Sequence, residues 1–455
     1  MRIHVRRFLL VVLAAAAFTL GPHPAQPQVP IASAATDDAV LTWNKNASAA
    51  GTAACLDLPP GDPFHQSRLY AMTHIAIHDA LNAIDRRSQP YVFDGHRQPG
   101  ASPDAAVAAA ARTVLVALIS ELPLELVTTS CIAAGLASVD TSYAAALGLI
   151  RNGQAKTQGI ALGEAAGQAI LANRANDGAV GPFLNFNCPT NTVPGQYQCT
   201  PGTPFIAFEA WANVTPFVLI DNKQFRPQPP YRLKSDKYAA DYNEVKSLGG
   251  DGVTTPSQRT PDQTQIAYFW LENSPLKWNR IARTIAPGQR LDLWENARLF
   301  GLLNVALADG YIAMAATKNH YDFWRPITAI RNGDTDGNPD TVGDPNWTPL
   351  VQTPGDQDYA SGHAIEGGAG AEVLREVFGT DRIPFQDCST SLPARTCDDA
   401  SPVLRSYSTF TQAADENAFS RILVGFHFRH SVEEGMKYGT HIGQRATNLF
   451  FRPVH

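Results

Sequence analysis

Apolar residues recur at three- and four-residue spacing along much of this chain, and sustained apolar–polar alternation with hairpin turns does not occur. That period constrains the fold more than any other feature. A 3.6-residue repeat gathers its apolar positions on one face only if the backbone is helical. RLYAMTHIAIHDALNAID (68–85) shows the pattern clearly. SPDAAVAAAARTVLVALI (102–119) and TQGIALGEAAGQAILANRA (157–175) add alanine, the best helix former, behind capping residues. From residue 177 to 232 the texture turns to Pro, Gly, Asn and aromatics, as in FRPQPPYRL (225–233), and reads as long irregular connections. Helical texture returns at Ser235, at Gln263–Leu271 and at Arg290–Lys318. The expected fold is all-α, a helical bundle of about ten helices with two helical halves packed as one unit.

The N-terminus reads MRIHVRRFLLVVLAAAAFTLGP, three arginines ahead of an uncharged run from Phe8 to Ala17, with Ala32-Ser33-Ala34 as a small-residue cleavage site. This is the pattern of a secretory signal over 1–34, and it predicts a secreted or periplasmic protein. The run is shorter than the ~20 residues of a spanning helix, and Arg6-Arg7 gives a weak hint of twin-arginine export. Further on, the most apolar stretch, Ala105–Ile119, is interrupted by Arg112, so no membrane span is expected after signal removal. The mature chain divides into an N-terminal helical half with its Pro/Gly-rich connector (35–235) and a C-terminal half (236–455). A net charge of −6 has the wrong sign for a nucleic-acid surface. The six cysteines allow many connectivities. Proximity favours Cys188 with Cys199 and Cys388 with Cys397, leaving Cys55 with Cys131. Export would let them pair, and no CxxC suggests zinc.

Two patterns could hold metal. His74 and His78 stand four apart on a helix but lack the glutamate of a metalloprotease pair, and a structural role is the stronger reading. The loop DTDGNPDTVGD (334–344) alternates oxygens at Asp334, Asp336, Asn338 and Asp340, but Pro345 stands where a calcium loop needs glutamate. Calcium is therefore the minor reading of an acidic connection. His430, three residues after His427, could suggest a metal pair, but a bound oxyanion uses His427 better.

Three segments of the last third need a common explanation. KNHYDFWRP (318–326) sets Lys318 and Arg325 seven apart, on one face if helical, in an aromatic run that Pro326 ends. DYASGHAIEGGAGAEVLREVFG (358–379) puts Ser361, Gly362 and His363 at the start of a helix. Ser361 could be a plain cap. Gly362 also lets the backbone approach a ligand, and the free N–H groups there attract anions. The pKa of His363 should be pulled down at the positive end of the helix unless an anion sits there. AFSRILVGFH (418–427) places Ser420, Arg421 and His427 in an apolar run that contains no acid, and a buried cation needs a partner. One tetrahedral oxyanion, phosphate or vanadate, would serve all three cations.

These segments resemble the three-part signature of the vanadium-dependent haloperoxidases and the type 2 phosphatidic acid phosphatases (PAP2), written KxxxxxxRP, PSGH and SRxxxxxHxxxD. WRPITAI, DTDGNPDT, NWTPL and the early RLYAMTHIAIHDALNAI helix resemble bacterial secreted members of the haloperoxidase branch, so the likeness spans most of the mature chain. It implies two four-helix-bundle halves packed as one domain. It implies a vanadate cofactor, with phosphate able to occupy the same site, held by Lys318, Arg325, Arg421, Ser361 and the N–H of Gly362. His427 would bond to vanadium, or attack phosphorus in a phosphatase. His363 would move protons, and Lys318 would polarise bound peroxide. The implied activity is oxidation of a halide by hydrogen peroxide to hypohalous acid, with a small organic acceptor as further partner. An acid phosphatase acting through a phospho-histidine is the second reading and a non-catalytic phosphate-binding helical protein the third. Assembly into a homo-oligomer is left open. Three positions depart from the pattern. Ala360 replaces the proline before Ser361. Ser431 replaces an aspartate that would orient His427, with Glu433 or Glu434 as candidate substitutes. Asp356, seven before His363, puts a carboxylate where halide choice is set, and this should repel chloride; bromide is the expected halide.

Overall fold

The structure, a computed structural model, describes residues 38–57, 61–190 and 193–454. The signal-peptide reading of 1–34 lies outside them. The described residues fold into an all-α protein with thirteen α-helices and two short β-hairpins. The first group is α1 (Ala39–Ala53), α2 (Pro63–Ile84), α3 (Pro103–Ser120), α4 (Thr129–Leu149) and α5 (Gln154–Arg174). Asp38, Asp62, Ser102 and Thr128 cap the first four through their side chains, and proline stands at the first position of α2 and α3. An irregular stretch follows, with one hairpin, β1 (Leu184–Asn185) and β2 (Ile206–Ala207). Then come α6 (Asp236–Leu248), α7 (Pro261–Phe269), α8 (Ser274–Ile285), α9 (Leu293–Tyr321), α10 (Pro326–Arg331) and α11 (Gly362–Phe378). The second hairpin, β3 (Phe385–Asp387) with β4 (Arg405–Tyr407), precedes α12 (Phe410–Leu423) and α13 (Arg429–Leu449). The expected count of about ten helices falls short, with α1 and α8 among the elements it leaves out.

The core is organised around α9, which starts at a capping box of Asp292 and Glu295. It is buried without a break from Leu299 to Lys318. It packs on α2 of the N-terminal group and on α11 and α13 of the C-terminal group. The pair α11 and α13 lies close, because glycines face backbone across the contact. A Cβ on Gly439 would meet the carbonyl oxygen of Ile365 at 1.9 Å. Among the described residues three helices are long and apolar enough to cross a membrane by length and composition alone: α3, α4 and α9. The apolar window of α9 is wholly buried inside the protein, whereas that of α4 is only 11% buried. Each of the three carries a charged residue within it, Arg112, Asp140 and Asp309.

His74 and His78 are core residues. The Nδ2 of Asn44 donates to His74 Nε2 at 2.7 Å, and His78 bridges Asp79 and Ser88. The side-chain oxygens at 334, 336 and 338 accept from their own loop, while Asn338 Nδ2 donates to the Leu233 carbonyl. Asp336 accepts from Asn338 N and Thr341 Oγ1, Asn338 from Asp340 N, and Asp334 from Gly343 N. His430 stacks on Tyr231. Among the described residues no group of three or more His, Cys, Asp or Glu is placed to hold a metal ion, and the calcium reading has no support. The cysteines pair as Cys55–Cys131, Cys188–Cys199 and Cys388–Cys397.

Candidate active site

Lys318 lies in the last turn of α9, and Asp322 closes that helix with φ 47°, donating its N–H to the Lys318 carbonyl. The chain then turns, and Arg325 precedes α10 with Pro326 in the first helical position. Lys318 and Arg325 therefore do not share one helical face. A helix end and a turn bring them together over Asp356. Lys318 Nζ lies 2.5 Å from Asp356 Oδ2, and Arg325 Nη2 pairs with Asp356 Oδ1. Arg325 Nε also donates to the Asp356 carbonyl at 2.7 Å.

Ser361 precedes α11, but its side chain does not cap it. Ser361 Oγ is buried and has no hydrogen-bond partner. Its N–H donates to the Ser431 carbonyl on α13. Gly362 admits α9 to the first turn of α11, where a Cβ would meet Met314 Sδ at 2.3 Å. His363 Nε2 lies 3.2 Å from the Glu272 carbonyl. A carbonyl only accepts, so Nε2 carries the proton and Nδ1 is the basic nitrogen. Asn417 on α12 holds the other side of this residue by donating to the His363 carbonyl. Glu272 itself is fixed by Arg280 and Lys277, which also grip Asp387. The imidazole is kept neutral, its pKa well below 6.5, by burial and then by Arg421.

Arg421 sits in the last turn of α12, and His427 follows in the turn before α13. The guanidinium of Arg421 is buried with Nε and Nη2 unpartnered. Burial, and then Arg325, pushes its pKa down to about 9. Ser420 takes no part, since its hydroxyl donates to the Asn417 carbonyl. His427 Nδ1 lies 2.9 Å from Asp358 Oδ1, and Arg325 Nη1 lies 2.9 Å from His427 Nε2. Arginine only donates, so Nε2 accepts, and the ring proton is on Nδ1, given to Asp358. Burial and the nearby cations hold His427 neutral. Burial is also the main reason the Asp358 carboxyl is pushed up to about 7.

Asp358 is the residue sequence reasoning missed. The orienting carboxylate absent at Ser431 comes from the loop ahead of Ser361, and Ser431 Oγ donates to the Asp358 carbonyl at 3.0 Å. Glu433 and Glu434 do not compensate. They face Arg429 and Lys437 instead. The only signal in the sequence was an aspartate three residues before Ser361.

Two helical groups are joined by one buried helix, α9, and the histidines and cations gather at its end. Residues 298–455 match the family model of the VCPO second helical-bundle domain. The fold is that of the vanadium haloperoxidases. A bacterial vanadium-dependent iodoperoxidase superposes with TM-score 0.71 at 23% identity, covering 92% of this chain and 97% of its own. A holo-type bacterial vanadium-dependent chloroperoxidase gives TM-score 0.68 at 17% identity over 90% and 96%. The vanadium chloroperoxidase of Curvularia inaequalis is 25% identical over 50% of this chain, which covers 47% of that protein. The chain thus matches about half the length of this curated relative.

Proposed function

We propose that this chain is an exported, vanadate-dependent haloperoxidase-like enzyme. Its reaction is oxidation of a halide, bromide rather than chloride, by hydrogen peroxide to hypohalous acid, which a small organic acceptor consumes. The observation that carries this reading is a set of buried donors without protein partners, Arg421 Nε, Arg421 Nη2 and Ser361 Oγ, beside an oriented, neutral His427. Donors left bare in a dry site fit a bound oxyanion. Bound vanadate would supply a Lewis-acid centre for peroxide activation. Arg421, Arg325, Ser361 and the Gly362 N–H would hold its oxygens, with Lys318 as a further donor. Arg325 Nη1 would pass from His427 Nε2 to an oxygen of the anion, leaving Nε2 to face the bound group while Asp358 fixes the ring. His363 would take up and return a proton at Nδ1. Export is supported by the three disulfides. The division at residue 235 follows the change of texture there.

The phosphatase reading keeps one observation in its favour. Asp356 engages Lys318, the donor that peroxide chemistry would use, while His427 and Asp358 already form an oriented nucleophile pair. The non-catalytic reading, which rests on Ala360 and Ser431, loses the second of its two motives if Asp358 serves as the orienting carboxylate. The test is bromide oxidation with vanadate and peroxide, run beside phosphomonoester hydrolysis without vanadate. Vanadate-dependent halogenation lost in His427→Ala supports the proposal. Hydrolysis without halogenation selects the phosphatase, and inactivity in both assays overturns both. In His363→Ala, turnover should fall about 10²–10⁴-fold with vanadate binding retained.

A further inference from the structure

We propose that Asp356 is an internal counter-anion that competes with the bound oxyanion for Lys318 and Arg325, and so limits how tightly the site holds it. This rests on the oxyanion reading above. Two of the three cations assigned to the oxyanion are engaged by one carboxylate, Lys318 Nζ at Oδ2 and Arg325 Nη2 at Oδ1. Arg325 is committed further. Its Nε donates to the Asp356 carbonyl, and its Nη1 lies 3.0 Å from the Phe426 carbonyl and 2.9 Å from His427 Nε2. Of the side chains assigned as donors to the oxyanion, Arg421 and Ser361 are the ones that present buried polar atoms without partners. The cage is thus split into a free half, Arg421 with Ser361, and a half already neutralised from within.

Lys318 and Asp356 are not locked in the core to the same degree. The Lys318 side chain is 4% exposed, whereas that of Asp356 is 14% exposed. Asp356 stands at the edge of the cage, where its carboxylate can yield to an incoming anion while its backbone carbonyl keeps Arg325 in place. An anion entering this site must either displace the carboxylate or sit beside it, and both oppose binding. Removing the charge while keeping the side-chain shape should release Lys318 and Arg325 to the ligand.

The test is isothermal titration of the purified full chain with inorganic orthophosphate and, separately, orthovanadate, for the parent, Asp356→Asn and Asp356→Ser. Thermal unfolding of each variant confirms that it is folded. Both variants should bind both anions at least about ten-fold tighter than the parent, the change expected when a like charge within contact distance is removed. If the parent binds and both variants bind equally or more weakly, Asp356 is not a competitor and the inference is overturned, while the oxyanion site stands. If neither the parent nor the variants bind either anion, the oxyanion reading fails and the inference falls with it.

Discussion

The Asp358–His427 contact can be tested by moving the carboxylate. Asp358 Oδ1 and His427 Nδ1 are 2.9 Å apart, and both side chains are buried. Leaving a buried donor poorly paired costs about 1–3 kcal/mol. At ~1.4 kcal/mol per ten-fold, Asp358→Asn should weaken vanadate binding about 10–100-fold, the usual loss for a residue that orients a ligand. Ser431 stands on the other side of the same nitrogen at 3.3 Å. Ser431→Asp on its own should destabilise the fold by roughly 3 kcal/mol, because it buries a second carboxyl beside one already resisting ionisation. Combined with Asp358→Asn, the new carboxyl replaces the lost one and binding should recover. Vanadate titration and urea unfolding on the four proteins give the double-mutant cycle. If Asp358→Asn binds within about two-fold of the parent and the double variant shows no recovery, Asp358 does not orient the ring, and the argument from this geometry is wrong.

Three further outcomes follow from features described above. Without added anion, Arg421→Met should raise the midpoint of thermal unfolding, because it removes a buried charge with two unpartnered nitrogens, and it should abolish stabilisation by phosphate. His74 is buried neutral, its pKa lowered from 6.5 to about 3, so the unfolded chain binds the extra proton and stability is lost as pH falls below 6.5. The loss approaches ~4 kcal/mol toward pH 3, and His74→Gln should make the urea midpoint less acid-sensitive between pH 6.5 and 4. Replacing Cys55 and Cys131 by serine opens a bridge between residues 76 apart and should destabilise by about 4 kcal/mol, read by calorimetry.

Much of the fold was legible because helix period, proline at helix starts and capping side chains are local signals. α2 and α3 carry all of them, and α5 and α9 carry the period. The site was legible where its residues fall in short fixed spacings, as Ser361, Gly362 and His363 do, and Arg421 with His427. Partnerships across segments were not. No spacing rule ties Asp358 to His427, 69 positions away, and Asp356 suggested a barrier to chloride before the structure put it against Lys318 and Arg325. The same limit hid the Glu272 carbonyl under His363. Lys318 and Arg325 look like helical neighbours in the sequence because the left-handed turn at Asp322 leaves no strong mark there: it uses a residue other than glycine.

The unbroken burial of α9 has a practical side. A helix without a wet face has no position at which a cut leaves two soluble pieces. A fragment begun at residue 236 would carry Lys318 and α11 but expose the surface that α2 covers, and one ended at 235 would leave α2 equally bare. Each would be expected to aggregate when produced alone and to regain order only when the two are made together. Engineering that seeks to exchange the N-terminal helices for those of a relative must therefore match α9 as well, side chain for side chain, or replace it with them.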